Sequence, residues 1–258
     1  MTLEMLYSTY GDRIFRLINN LPPQSLYVSI TIVHQVGGCD QLMNYQEHFK
    51  RRSDIRYIPI NSVGVTKSRN VAIENSHADI VLFCDDDVVY EDDFYKKVIL
   101  SYKENSGVDF ITFSYNRGLT QPVKFSKRKT KHDLFSILSV GTIEISCLRS
   151  SLLNARCFFP EDMGTGQKLF LCDEPVFLAS LIRAGCRGIY VPLNICDHPD
   201  ESSGADFKSY YAIESRYECF KRVFGLFMGR VLFFCFVFYR LKDFGGGVRV
   251  LKYIFRKV

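Results

Sequence analysis

The sequence predicts an α/β domain with a mostly parallel central sheet. Strand-like and helix-like segments alternate over roughly the first 200 residues, and the strand-like segments are rich in β-branched residues. The first long strand segment has Pro-Pro before it and Gly-Gly after it. With 47% hydrophobic and 24% charged residues in a chain of 258, the composition excludes a disordered or fibrous protein.

The individual elements follow from local patterns. Helices are predicted over 67–76, where Thr66 offers an N-cap, over 92–105, and over 173–185. In such a sheet, ligands bind outside the carboxyl ends of the strands, so polar residues that directly follow a strand are candidate site residues. The predicted strands are 25–35, 55–60, 79–85, 108–116 and 186–193, and 140–153 is predicted as a further strand that leads into a turn.

Three adjacent aspartates, Asp85, Asp86 and Asp87, directly follow the apolar run from Ile80 to Cys84. A cluster of carboxylates at a strand end is well suited to bind a hard divalent cation, either Mn2+ or Mg2+. Such a cation also neutralises the negative charge of phosphate groups. The alternative is a solvated turn that leads into the next helix. The apolar strand before the triplet favours the metal site.

Charge and cysteine usage exclude several classes. The net charge of +5 is too small to indicate a nucleic-acid partner. The nine cysteines include no pair at CxxC spacing, which disfavours zinc ribbons and thioredoxin-like sites. Cys84, Cys147 and Cys235 lie in apolar runs, so we expect buried thiols in a reducing compartment. No positively charged segment precedes an apolar stretch near Met1, so we expect no signal peptide and a cytoplasmic location.

Four motifs in order resemble those of the family 2 glycosyltransferases, the inverting nucleotide-sugar enzymes. The resemblance implies the GT-A fold, a Rossmann-like nucleotide-diphospho-sugar transferase fold with a mixed, mostly parallel sheet, here with a helical C-terminal extension. It is strongest to bacterial members that build O-antigen and other surface polysaccharides. The motifs are LYSTYGDRI (6–14), GVTKSRNVAI (64–73), VLFCDDDV (81–88) and LCDEPVFLASLIRAG (171–185).

The resemblance implies a role for each matching residue. Asp87 would bind the metal that bridges the donor's diphosphate, and Asp85 would contact that metal or the ribose. Arg69 and Tyr10 also have simpler interpretations, as a surface helix residue and a residue packed at a loop edge. The residues implied in nucleotide-sugar binding are Thr9, Tyr10, Arg13, Gln35, Lys67, Arg69, Asn70, Asp85, Asp86, Ser202 and Ser203.

The second strand departs from the family pattern. Many members end this strand in an acidic pair that contacts the base, whereas this sequence reads His34-Gln35. Gln35 can still hydrogen-bond a uracil or guanine edge. The choice of nucleotide is therefore open, with a UDP-sugar as the expected donor.

The catalytic base is expected at Asp173-Glu174. An inverting transfer needs a carboxylate that takes the proton from the acceptor hydroxyl. The family places it in a Glu-Asp pair, and this chain has the reverse order. Alignment puts Glu174 at the base position, with Asp173 as the alternative. Asp173, before Pro175, also has a simpler interpretation as an ordinary N-terminal helix cap with a favourable placement in the helix dipole.

A histidine follows the last predicted strand, in the stretch CDHPDESSG (196–204). Imidazole suits Mn2+ and similar ions, and some GT-A enzymes use a histidine here as a further metal ligand. His198 would be that ligand, with Ser202 and Ser203 in a loop near the diphosphate. The alternative is an exposed histidine in a polar loop.

The chain divides into a catalytic domain over 1–205 and a C-terminal helical extension over 206–258. The segment 223–239 is strongly apolar but is interrupted by Arg230, and it is borderline in length for a membrane span. With the basic end that follows, it indicates peripheral association with the cytoplasmic face of the inner membrane. The alternative is a buried helix packed on the catalytic domain.

Together these features predict a metal-dependent inverting glycosyltransferase. It would move a hexose from a nucleotide sugar to a polyprenyl-diphosphate-linked saccharide acceptor in O-antigen or surface-polysaccharide synthesis. The basic stretch within 115–140 suits an anionic acceptor, without a role for any one residue. The alternative is a non-catalytic nucleotide-sugar-binding module. A nucleotidyltransferase is disfavoured because no glycine-rich phosphate loop lies near the N-terminus.

Overall fold

A single mixed sheet forms the centre of the protein. The computed structural model describes residues 1–37, 45–118, 120–198 and 206–245. Within these residues the sheet has nine strands in the order β3-β2-β1-β4-β8-β6-β9-β5, and β7 also pairs with β9. The strands are β1 (Leu3–Tyr10), β2 (Val28–Gln35), β3 (Ile55–Ile60), β4 (Ile80–Asp85), β5 (Val89–Tyr90), β6 (Phe110–Asn116), β7 (Thr130–Lys131), β8 (Ile145–Leu148) and β9 (Gly188–Asp197).

Six of these strands run in one direction, so their carboxyl ends share one edge of the sheet. β1, β2, β3 and β4 are parallel neighbours. β8 is antiparallel to both β4 and β6, which restores the common direction in β6, and β9 is parallel to β6. β5 and β7 are antiparallel to β9. The predicted mixed, mostly parallel sheet is confirmed.

Helices cover both faces of the sheet because side chains alternate along each strand. On β1, Met5 and Tyr7 lie in a buried cluster with residues of α1 and α3. The intervening Leu6 lies in a second cluster with residues of α2 and α5. The helices are α1 (Arg13–Asn20), α2 (Val65–Asn75), α3 (Phe94–Glu104), α4 (Arg149–Ala155), α5 (Asp173–Arg183), α6 (Tyr210–Phe224) and α7 (Leu226–Tyr239).

Two local predictions were wrong. The segment 140–153, predicted as a strand that leads into a turn, is a short 3-10 turn, then β8, then the helix α4. The helical part, RSSLLNA, contains no β-branched residue, so it has little strand preference. Thr66 does not cap α2, which begins at Val65. Its hydroxyl donates instead to the Met163 carbonyl at 2.9 Å, which ties α2 to the chain before α5.

The C-terminal helices pack on the domain and on each other. Cys219 and Val223 of α6 are buried in the cluster that contains α5. α7 packs on α6 at Gly229, where a Cβ would lie 2.4 Å from the Phe220 carbonyl oxygen, so only glycine permits this approach. Phe233 is buried in the same interface.

The opposite face of α7 is exposed and apolar. Cys235, predicted to be buried, lies on this exposed side, whereas Cys84 and Cys147 are buried as expected. In the described part of the chain, no helix is both long and apolar enough to cross a membrane. The predicted boundary at 205 and the basic end after 245 lie outside the described residues. The large apolar side chains exposed on α7 are Leu226, Phe227, Met228, Val231, Phe238 and Tyr239.

Candidate active site

The middle aspartate of the triplet holds the first loop of the protein. Asp86 is 3% exposed and accepts a hydrogen bond from the Thr9 hydroxyl at 2.8 Å. The Arg13 guanidinium donates to both of its oxygens, with Nε at 3.0 and 2.9 Å. These hydrogen bonds raise the pKa of Arg13. Asp86 therefore fixes the turn after β1 to the end of β4, which brings together three residues that the sequence assigned to the nucleotide.

The outer aspartates form a candidate metal site with His198. One ligand atom from each of Asp85, Asp87 and His198 lies within 4.8 Å of the others, and all three side chains are partly exposed. The sheet topology brings these side chains together, because Asp85 ends β4 and His198 directly follows β9. The His198 N–H also donates to the Asn116 carbonyl at the end of β6, at 2.9 Å. Two carboxylates and an imidazole are a donor set that fits Mn2+.

Arg69 lies between this group and the predicted base. Its side chain is 6% exposed, and Nη1 donates to Asp173 Oδ2 at 2.7 Å while Nη2 donates to Asp85 Oδ1 at 3.3 Å. Nη1 also lies 3.9 Å from Glu174 Oε1. Burial acts to lower the pKa of Arg69, but the carboxylates outweigh it and the pKa is raised. Arg69 is thus a buried cation that three carboxylates share, not a surface helix residue.

The two carboxylates at the start of α5 occupy different environments. Asp173 is 3% exposed, and burial, with the neighbouring Glu174 adding to it, raises its pKa to about 7 against the opposing effect of Arg69. The Glu174 side chain is 18% exposed. It accepts a hydrogen bond from the Thr142 hydroxyl. An acceptor hydroxyl can approach Glu174 more readily than Asp173, which favours Glu174 as the base; the assignment stays a prediction.

Of four further residues predicted to bind the nucleotide, two are accessible to solvent and two are buried. Tyr10 is 48% exposed at the end of β1, and Lys67 is partly exposed on α2. Gln35 is buried and holds the entry of α2: its Oε1 accepts from the Gly64 N–H at 2.7 Å. Asn70 is also buried, and its amide exchanges hydrogen bonds of 3.0 and 2.8 Å with the Phe159 backbone. Direct nucleotide contacts by these four residues stay predictions.

Two of the predicted residues cannot be placed. Ser202 and Ser203 lie outside the described residues. Their predicted position near the diphosphate therefore stays a prediction.

The sequence reasoning did not identify the residues that support Glu174. Thr142 donates to Glu174, and Glu144, which is 3% exposed, lies in the same turn as Thr142. Glu144 accepts from the Gly141 N–H at 2.9 Å and from the Lys124 ammonium. Burial raises its pKa to about 7, although Lys124 opposes the shift. The only signal in the sequence was a single acidic residue within the otherwise uncharged stretch SVGTIEIS.

Comparisons with known proteins support the fold and the family. The model for glycosyl transferase family 2 matches residues 40–153. S. aureus TarS is similar in structure, with a TM-score of 0.65 and 18% identity over 86% of this chain, which spans 39% of that longer protein. TarS 1-349 in complex with UDP-GlcNAc has a TM-score of 0.64 and 14% identity, with 90% of this chain and 69% of that one covered.

A mannosyltransferase is similar in structure as well. The mannosyltransferase PcManGT from Pyrobaculum calidifontis, in complex with GDP-Man and Mn2+, has a TM-score of 0.59 and 15% identity, with 85% of this chain and 63% of that one covered. No curated protein sequence matches the chain. The resemblance inferred from the four motifs is confirmed: the chain has the GT-A fold, and its residues 40–153 match the model of glycosyl transferase family 2.

Proposed function

We propose that this chain is a metal-dependent inverting glycosyltransferase that moves a hexose from a nucleotide sugar to a polyprenyl-diphosphate-linked saccharide. One observation carries the proposal: Arg69 links a group suited to a divalent cation, Asp85, Asp87 and His198, to a partly open carboxylate on α5. The ligands named for TarS and PcManGT, UDP-GlcNAc and GDP-Man, support a nucleotide-sugar donor. Synthesis of O-antigen or another surface polysaccharide is the proposed setting.

The mechanism assigns a separate task to each residue. Glu174 takes the proton of the acceptor hydroxyl as the hydroxyl oxygen attacks the anomeric carbon, and the bond to the nucleoside diphosphate breaks. Thr142 fixes one carboxylate oxygen of Glu174, so the other faces the acceptor. Tyr10 offers an exposed ring on which the base stacks. A divalent cation at Asp85, Asp87 and His198, when bound, supplies charge that stabilises the leaving diphosphate.

A calorimetric titration tests the donor site. UDP, GDP, UDP-GlcNAc and GDP-Man are titrated with and without Mn2+ into the wild type and into Asp87→Ala. We expect Mn2+-dependent binding of one nucleotide class that Asp87→Ala abolishes. Asp92→Ala, which removes an exposed carboxylate five residues further on, should bind as the wild type does. Equal binding by Asp87→Ala would contradict the proposed metal site.

The alternative, a non-catalytic nucleotide-sugar-binding module, is tested at the base. We expect Glu174→Gln to retain nucleotide binding while the donor no longer releases its nucleoside diphosphate in the presence of an extract of lipid-linked saccharides. Full activity of both Glu174→Gln and Asp173→Asn would reject the assignment of the base. Absence of turnover in the wild type, with nucleotide binding intact, would favour the binding module.

We also propose peripheral attachment to the cytoplasmic face of the inner membrane through α7. Phe227 and Phe238 are 78% and 74% exposed on its outer face, and burying such side chains in the interfacial region is favourable. We expect wild type to sediment with phosphatidylglycerol vesicles and Phe227→Ser/Phe238→Ser to remain in the supernatant. Leu26→Ser/Leu100→Ser, which changes two exposed apolar residues outside α7, is the matched control. Equal sedimentation of both double variants would contradict attachment through α7.

A further inference from the structure

The strongest concentration of positive charge lies in the segment 117–131, here termed the basic segment. It holds six Lys or Arg and no Asp or Glu in fifteen residues, whereas the whole chain has a net charge of only +5. Among the described residues, Lys124 is the only one of the six in an ion pair, which it forms with Glu144. The cations of the basic segment are Arg117, Lys124, Lys127, Arg128, Lys129 and Lys131.

The basic segment starts at the candidate active site. Arg117 directly follows Asn116, whose carbonyl oxygen accepts the hydrogen bond from the His198 N–H at 2.9 Å. The Arg117 guanidinium lies 5.9 Å from the centre of the Tyr115 ring, and the Tyr115 ring lies 5.5 Å from the His198 ring. The Nε atom of Arg117 is buried and has no hydrogen-bond partner. An unpaired donor of this kind is costly until an acceptor atom meets it.

From there the basic segment runs along β9 and away from the site. Thr130 and Lys131 pair with Tyr190 and Ile189 near the start of β9, while Asp197, at its other end, pairs with Asn116. β9 is irregular over this interval, so its length is measured on the paired strand: the four steps of β6 from Thr112 to Asn116, the partners of Tyr190 and Asp197, span about 13 Å at about 3.3 Å per residue. The cations of the basic segment therefore begin at the candidate active site and extend about 13 Å along β9 away from it.

Ring contacts and hydrogen bonds hold the backbone of the basic segment in place. The Phe125 ring packs edge-on against Tyr115 at 5.1 Å and stacks on Tyr190 at 6.1 Å. The Tyr190 hydroxyl donates to the Ser126 carbonyl at 3.0 Å, and Lys124 donates to the Ser139 carbonyl at 3.0 Å. Charges on a fixed backbone bind with a smaller loss of conformational entropy than charges on a free loop.

The chemistry of the basic segment fits phosphate groups. Lys and Arg without acidic neighbours repel one another and pair well with phosphate oxygens, whereas a neutral sugar offers them no compensating charge. A membrane-binding surface needs apolar side chains that insert. Among the described residues of the basic segment, which leave out position 119, Val123 is the one large apolar residue that is exposed, whereas α7 exposes six.

We infer that the basic segment binds the phosphate groups of the glycosyl acceptor and guides the acceptor hydroxyl to Glu174. This inference rests on the proposed function and specifies it: the acceptor is an anionic, phosphate-bearing saccharide, as a lipid diphosphate is. The same phosphate chemistry occurs in anionic membrane headgroups, and the test must separate the two sources.

The test compares two triple variants. Lys127→Ala/Arg128→Ala/Lys131→Ala removes exposed cations of the basic segment, and Arg51→Ala/Lys96→Ala/Lys103→Ala removes three exposed cations elsewhere. The probes are geranyl-diphospho-GlcNAc and the uncharged octyl GlcNAc, measured by thermophoresis with the donor site saturated by UDP and Mn2+. We expect the wild type to bind the diphosphate probe about tenfold more tightly than the neutral probe.

The segment variant should lose about that factor, and the control should stay within about twofold of the wild type. Equal affinity for both probes, or unchanged affinity in the segment variant, would overturn the inference. Loss of sedimentation with phosphatidylglycerol vesicles by the segment variant, with probe binding intact, would assign the basic segment to membrane headgroups instead. A separate UDP titration on every variant reports on the donor site, so failure of the proposed function is recognised independently.

Discussion

Replacing Gly188 with alanine should destabilise the protein strongly. Gly188 begins β9 and is the register partner of Phe110 on β6. A Cβ at this position would lie 1.9, 2.2 and 2.4 Å from the Cζ, Cε2 and Cε1 atoms of the Phe110 ring. Gly188 is not among the residues with positive φ, so the substitution introduces a steric conflict without backbone strain.

The expected cost can be worked out from the packing. Ordinary van der Waals contact of a Cβ begins at 3.4 Å, so the ring must retreat by more than 1 Å. Phe110 is 0% exposed and stacks on the His132 ring at 5.6 Å, so no free space receives it. Overpacking of a filled core costs about 1–3 kcal/mol. The lower entropy of the unfolded alanine chain offsets about 0.5 kcal/mol. A net loss of about 0.5–2.5 kcal/mol remains, and the 1.9 Å approach places Gly188→Ala near the upper end of that range.

Urea unfolding followed by circular dichroism measures this loss. Phe110→Leu makes room for the new methyl group, so Gly188→Ala/Phe110→Leu should be more stable, by about 1–2 kcal/mol, than the sum of the single effects predicts. Gly141→Ala is the control, because its Cβ would meet only the far end of the Glu144 side chain, at 3.2 Å. A change below about 0.5 kcal/mol in Gly188→Ala, or strict additivity in the double variant, would refute the reasoning.

Three further predictions concern acid stability, catalysis and the core. Burial lowers the pKa of His132 from 6.5 to about 4. Below pH 6.5 the unfolded chain gains a proton that the folded protein does not, so the free energy of unfolding falls by about 3 kcal/mol between pH 6.5 and pH 4. The urea midpoint of His132→Asn should decline less over this range. Thr142→Val should lower kcat about tenfold with little change in KM, because Glu174 loses its hydrogen bond. Phe177→Ala should cost about 3–5 kcal/mol in urea unfolding, since Phe177 is 0% exposed.

Each of these has a matched control. For the acid effect, His48→Asn changes an exposed histidine and should leave the pH dependence as it is in the wild type. For catalysis, Thr142→Ser retains the hydroxyl and should recover most of kcat; equal kcat in Thr142→Val and wild type would rule out a role in orienting the base. For the core, Phe15→Ala removes a ring that is 38% exposed, and a cost equal to that of Phe177→Ala would contradict the packing argument.

Much of the sheet could be predicted from the sequence because strand signals are local. The strand over 55–60 was predicted with the same limits as β3. The strand predicted over 79–85 ends at Asp85 as β4 does, and β4 begins one residue later, at Ile80. The segment 140–153 failed because its apolar residues suit a strand and a helix equally. Packing against the sheet resolved that ambiguity, with Ile145 and Leu152 both buried.

For the site, the sequence by itself determined which residues stand at strand ends. The aspartates after β4 and the pair that begins α5 follow directly from local patterns, because a strand that ends in carboxylates is visible without any tertiary information. The same patterns placed His198 after the last strand, and in the structure it lies beside Asp85 and Asp87.

Only the tertiary structure determines which partner each of these residues has and how far it is exposed. Thr142 lies 32 residues before Glu174 and Arg69 lies 104 residues before Asp173 in the chain, yet each pair is joined by a hydrogen bond. Asp86 turns inward to Arg13, while its two neighbours remain partly exposed. A sequence specifies neighbours along the chain, but the distances that set hydrogen bonds, burial and pKa arise only when distant strands meet at one edge of the sheet.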